Sequence, residues 1–191
     1  MEPIIYRIDN DDIIYSIEGS WDEFALENDG YPENRSENIL GNSLWTYIKD
    51  FETKHLYKLI IDHIRLLQQE ITIPIRCDSP TMIRFIDLKI IPLDASKIEF
   101  IGEVKKEVKR NKVDILDKHI PRNEDFIKMC SYCKSIKVDE NHWLETTEAV
   151  IQLNLFNKPV LPKISHGACP ECYNKIIEEL KNYRLAFNKT I

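Results

Sequence analysis

Two Cys-x-x-Cys pairs, Cys130/Cys133 and Cys169/Cys172, constrain this 191-residue chain more than any other feature. A Cys-x-x-Cys turn holds two thiolates on one side of a tight loop, and two such turns bring four soft ligands to one ion. The 35 residues between Cys133 and Cys169 only lengthen the intervening segment. Closure entropy grows with the logarithm of length, so the wide spacing costs little extra. The start, Met1-Glu2-Pro3-Ile4-Ile5, has no basic region and no long apolar run, and no secretory leader is expected. No stretch approaches the roughly 20 apolar residues of a membrane span. A cytoplasmic protein follows as the expectation, and in that reducing setting paired cysteines favour metal over disulfides. The predicted site is closed and structural, holding zinc, with iron as the alternative ion. His166, three residues before Cys169, is the one competing ligand. With four thiolates in place it is expected to support the ligands by hydrogen bonding or to anchor the loop.

Charge divides the chain. The net charge of −6 speaks against a strongly cationic nucleic-acid binder. It is spread as −9 over residues 1–102 and +3 over residues 103–191, with the dense run EVKKEVKRNK at Glu103–Lys112. This predicts a first domain over 1–108, a charged connector over 109–123 and a second unit over 124–191. A unit of that size buries little core alone, and a structural metal is a common remedy.

The first domain reads as strands and helices in turn. Ile4–Ile8 and Ile13–Ile17 flank an Asp/Asn turn at residues 9–12, a hairpin signal. Ser20 with Glu23 forms a candidate capping box for a helix carrying Trp21, Phe24 and Ala25. Residues 28–38 are a polar loop, and Gly41–Ile48 a short helix. A longer helix runs from a Thr53 cap through Gln69, with Leu56, Leu59, Ile60, Ile64 and Leu67 at i, i+3, i+4 spacing. Three strands follow: Ile71–Cys77, Met82–Pro92 and Ile98–Val104, the first demoted toward an edge by Pro74. In the second unit, Cys172 to Phe187 shows helical spacing.

The order β-β-α-α-α-β-β-β over roughly residues 3–108 resembles the PAS domain, a five-stranded antiparallel sheet cupping a pocket under a helical cover. The segment Arg76-Cys77-Asp78-Ser79-Pro80, downstream of Gly41-Asn42-Ser43-Leu44-Trp45, is similar to one in a bacterial PAS-like group. Cys130-Ser131-Tyr132-Cys133-Lys134, Trp143, Glu145 and Ser165 to Cys172 match a pattern CSxCK…W…E…SHGxCPxC. That pattern resembles a bacterial C-terminal module found after PAS and receiver domains. The resemblances imply an α+β chain: a PAS-like domain plus a small, zinc-stabilised, mainly helical C-terminal unit.

They also imply a non-enzymatic signalling protein. The first domain would bind a small ligand or a protein partner, with homodimerisation as a further expectation, and the zinc unit would relay or dock. A zinc-dependent nucleic-acid-binding transcriptional regulator is the alternative, and an enzyme using Cys77 a third reading. Trp45, Arg76, Cys77 and Arg84 are the candidate pocket residues. A lone Cys77 on an apolar strand face is more often core than nucleophile. Arg76 and Arg84 suit either an anion or salt bridges to Asp78 or Asp87.

Overall fold

A computed structural model describes residues 2–188 except Asp29 and Asn157, with side chains as far as Tyr183 apart from Ala95. The Phe187 side chain, last in the helical spacing from Cys172, therefore lies outside those described. The chain is α+β. Strands β1 (Ile4–Ile8), β2 (Ile14–Gly19), β3 (Ile71–Ser79), β4 (Met82–Pro92) and β5 (Ile98–Lys109) form a five-stranded sheet in the order β2-β1-β5-β4-β3. Every pairing in it is antiparallel. Helices α1 (Trp21–Glu27), α2 (Ser36–Ile39) and α3 (Phe51–Leu67) are inserted between β2 and β3.

The alternation in the strands buries one face. Ile8, Ile90, Ile98 and Phe100 from the sheet meet Leu56, Ile60, Ile61 and Ile64 of α3, all essentially inaccessible to water. At about 25 cal/mol per Å² of apolar surface removed from water, this contact is the main driving force for the first half.

Several local expectations are corrected. Asp50, not Thr53, caps α3, its carboxylate accepting from the Thr53 N–H at 2.8 Å. Ser20 precedes α1 but makes no capping bond, because its backbone is not in the extended conformation a cap requires. The predicted Gly41–Ile48 helix is a single 3-10 turn at Leu44–Thr46, capped by Ser43. Strand β5 continues through the charged run to Lys109, because Met82–Phe85 of β4 offers it a pairing edge.

The second half departs further from expectation. It holds a four-stranded mixed sheet with two helices, not a mainly helical unit. Strands β6 (Arg122–Cys130), β7 (Ile136–Lys137), β8 (Trp143–Leu144) and β9 (Leu161–Gly167) lie in the order β8-β7-β6-β9, with β9 parallel to β6. Helix α4 (Thr146–Gln152) precedes β9 and α5 (Pro170–Asn188) follows it. Residues 109–123 include buried Val113 and Ile115, which join Met129, Ile136, Ala149, Val150, Leu155 and Leu161 in a second core. The first core extends past the boundary as well. Cys130, Tyr132, Cys169, Ile176 and Leu180 belong to the same buried cluster as the sheet and α3.

Candidate metal centre and neighbouring cavity

The four paired cysteines converge. Cys130 ends β6, and the chain turns through Ser131 and Tyr132 to Cys133. The Lys134 N–H closes that turn on the Cys130 carbonyl at 3.1 Å, and the Cys130 N–H takes the Ser135 carbonyl at 2.8 Å. Cys169 stands just before α5 and Cys172 lies in its first turn, with Pro170 opening the helix where its missing N–H is no loss. All four sulfurs lie within 4.8 Å of one another, and none of the cysteines is in a disulfide. The Cys133 and Cys169 sulfurs are 3.7 Å apart. Corners of a tetrahedron around an ion with metal–sulfur bonds of about 2.3 Å stand about 3.8 Å apart, so the donor set fits a tetrahedral ion.

The surroundings suit a centre of negative charge. The Cys169 N–H donates to the Cys130 sulfur and the Cys172 N–H to the Cys169 sulfur, each at 3.4 Å. Ser135 Oγ lies 3.1 Å from the Cys133 sulfur. Hydrogen bonding from Cys130, Cys169 and Cys172 holds the Cys133 thiol far below its ordinary range. Hydrogen bonding with Cys130 and Cys133 pushes Cys169 and Cys172 up. Thiols must lose their protons to ligate an ion, so a metal bound by these four would be taken up with release of protons.

His166 is not part of the converging group. It is exposed on β9, opposite Met129 in the parallel pairing. Successive strand positions face opposite ways, so the exposed His166 lies on the face opposite to that of the buried Gly167 that follows it.

Sequence reasoning missed the residues that fasten this centre to the first sheet. Glu52, in the first turn of α3, accepts from Lys128 Nζ at 2.7 Å and from the Ala168 N–H, beside Cys169, at 3.0 Å. Partial burial raises the pKa of Glu52, but Lys128 and the Ala168 amide outweigh it and hold the carboxyl below its usual range. Gly167 leaves room for this pair, since a β-carbon there would collide with the Lys128 and Glu52 side chains. Thr53 Oγ1 donates to Ser131 Oγ at 2.8 Å. None of these partners shares a sequence window. Only the helix start at Asp50–Thr53 carried a signal, and it said nothing of what the helix end meets.

The candidate pocket residues separate. Cys77 alone lines a cavity of about 480 Å³ between the inner sheet face and α1–α3, together with Tyr6, Trp21, Asn28, Tyr57 and Ile75 among others. None of the described lining residues carries a formal charge. Burial pushes the Cys77 thiol up, and pushes Tyr57 up to about 12. Trp45 is outside the cavity; its indole N–H donates to Asp12 Oδ2 at 2.8 Å, and Lys54 and Lys58 lie over its ring. Arg84 is buried, pairing with Glu107 at 2.8 Å and with the Asn28 side-chain oxygen, not with Asp87.

Arg76 is engaged at the seam between the halves. It pairs with the fully buried Asp78 and reaches Glu145, the α4 cap, at 3.1 Å. Arg110 joins the same Asp78 oxygen at 3.1 Å. Two arginines and two carboxylates thus balance in one cluster, the arrangement that makes buried charge tolerable. The Arg76-Cys77-Asp78-Ser79-Pro80 segment accordingly serves three ends. Arg76 and Asp78 hold the seam, Cys77 faces the cavity, and the Pro80 carbonyl accepts from the Val113 N–H at 2.9 Å.

Fold and site together define an α+β protein with a four-cysteine candidate metal centre built against an antiparallel sheet. Comparison with family models, with curated proteins and with solved structures gave no match. Among the described residues, no helix is long and apolar enough to cross a membrane.

Proposed function

We propose that the chain is a non-enzymatic signalling protein of two parts. A PAS-like sheet domain takes a small uncharged molecule into its cavity, and a zinc-bound four-cysteine unit docks to a protein partner or relays the state of the first part. The observation that carries this reading is the pairing of two features in one continuous core. One is an uncharged cavity of about 480 Å³ under α1–α3; the other is a four-thiol cluster across the seam. The volume lies in the range of about 300–1,000 Å³ typical of small-molecule sites. With no charge among its described lining residues, the cavity favours apolar or aromatic molecules whose few polar groups are met by tyrosine hydroxyls. The sheet order β2-β1-β5-β4-β3, with three helices between its second and third strands, supports the PAS-like reading. Zinc suits a donor set of four thiolates with buried amide support, where it acts as a structural staple.

Native mass spectrometry and metal analysis of the full chain, purified with its thiols reduced, test both parts. The expected result is one zinc per chain and a mass increment from an uncharged small molecule, or saturable binding when a library of such molecules is added. A folded, metal-free chain overturns the zinc part. A chain that binds charged molecules in preference, or no small molecule, overturns the cavity part.

A further inference from the structure

The metal centre and the cavity share a wall. Tyr132 stands inside the Cys130–Cys133 chelate loop, and only 3% of its surface is exposed. Its ring packs beside that of Tyr57, centroids 6.5 Å apart and planes 28° apart. Tyr57 lines the cavity, and its ring also faces Phe100, which stacks on Tyr6 of the opposite cavity wall at 4.5 Å. A second attachment runs through the backbone. The Tyr132 carbonyl accepts from the Arg76 N–H on the open edge of β3 at 2.7 Å, and the next residue, Cys77, faces the cavity.

Tyr132 is held by the loop that carries it, by packing in the first core and by the Arg76 N–H on its carbonyl. Its hydroxyl is buried with no hydrogen-bond partner among the described residues, so none of them anchors the ring by its polar end. A desolvated, unpaired hydroxyl opposes burial. An ion gripping both ends of a four-residue loop supplies the opposing constraint. Ile75 lines the cavity on one side and, on the other, a groove of about 230 Å³ that Tyr132, Cys133 and Cys172 also line. Ile75 is thus a side chain between the metal loop and the cavity with free volume on both sides.

We propose that the metal centre and the cavity are energetically coupled sites, with Tyr132 as the positioning residue between them. An ion that fixes the Cys130–Cys133 loop sets Tyr57 and the Arg76–Cys77 stretch of β3. A change in the cavity wall alters the grip on the ion in return, because coupling of binding equilibria is reciprocal. The proposal rests on the metal reading above and adds to it that the staple is also a sensor of the cavity. Couplings of this kind change affinity by about 5- to 150-fold.

Two measurements on the zinc-loaded full chain test it. In the first, Cys77→Met enlarges a cavity-wall side chain and leaves the metal loop untouched, and zinc transfer to a chromogenic chelator is timed. The expected change in release rate is at least fivefold against wild type. In the second, Tyr132→Leu is compared with wild type by hydrogen exchange. Peptides covering residues 74–78 and Tyr57 should exchange at least fivefold faster while β1 and β2 are unchanged. Tyr132→Phe, which keeps the ring, should match wild type in both assays. If Cys77→Met releases zinc within twofold of wild type, the coupling is overturned, whether or not Tyr132→Leu folds. A wild-type chain that binds no zinc instead overturns the metal reading on which the proposal stands.

Discussion

The two halves of the molecule solve the same problem by different means. The first sheet has long paired strands and a core of branched aliphatic side chains from five strands and α3. The second has two-residue strands at β7 and β8, and its own core is the smaller cluster around Met129, Ile136 and Leu161. Apolar burial dominates the first. In the second, the Cys130 loop and the start of α5 meet at four sulfurs. None of the four cysteines belongs to the smaller core. Cys130 and Cys169 belong to the larger one, so the four sulfurs sit where the short-stranded half meets the well-packed half.

This contrast can be broken most sharply at the metal. Cys169→Ser, or chelation of the wild-type chain, is expected to remove protection from hydrogen exchange across β6–β9 and the start of α5, while β1, β2 and the body of α3 stay protected. The effect should be the largest of any single change, since structural zinc contributes on the order of 10 kcal/mol to such sites. Loss of protection spread evenly over the chain would mean the halves do not differ as described.

The converse change is Ile90→Ala. Ile90 is fully buried in β4, far from the sulfurs in sequence, and its truncation should cost about 2–5 kcal/mol in urea unfolding. Zinc stoichiometry should remain one per chain. Loss of zinc in the folded Ile90→Ala protein would show that the first core holds the centre's geometry more directly than its contacts suggest.

The smallest effect expected is at the fastening between the halves. Glu52→Gln removes the charge that meets Lys128 and should cost about 1 kcal/mol, since the pair is partly exposed. Because the folded-state pKa of Glu52 is depressed, its contribution is present above the ordinary carboxylate range and fades as pH falls through the lower folded value. The wild-type and Glu52→Gln stabilities should therefore converge in acid and separate toward neutral pH. Parallel pH profiles would remove Glu52 from the seam.

Legibility followed the same division. Strands β1, β3 and β4 and helix α3 could be read because a buried face imposes a period of two or of 3.6 on a short stretch of chain. The four cysteines could be read because chelation fixes the spacing within each pair. Strand β9 escaped. Leu161-Pro162-Lys163-Ile164-Ser165-His166-Gly167 has little alternation and owes its conformation to parallel pairing with β6. The cavity escaped for a related reason. Of Trp45, Arg76, Cys77 and Arg84, only Cys77 lines it, because its walls come from elements far apart in the chain and the arginines were claimed by Glu107, Asp78 and Glu145.

The amino-acid order by itself determined the strands of the first sheet, where the long helix runs and which four cysteines are paired for a soft ion. Each of these is a local matter of periodicity or short-range chelate geometry. Only the tertiary structure decided that Glu52 meets Ala168, that Arg76 meets both Glu145 and the Tyr132 carbonyl, and that the centre lies on the seam rather than within the second half. Those partners are separated by dozens of residues and share no repeating pattern. Their meeting is set by how two layers pack, a property that no single window of the chain contains.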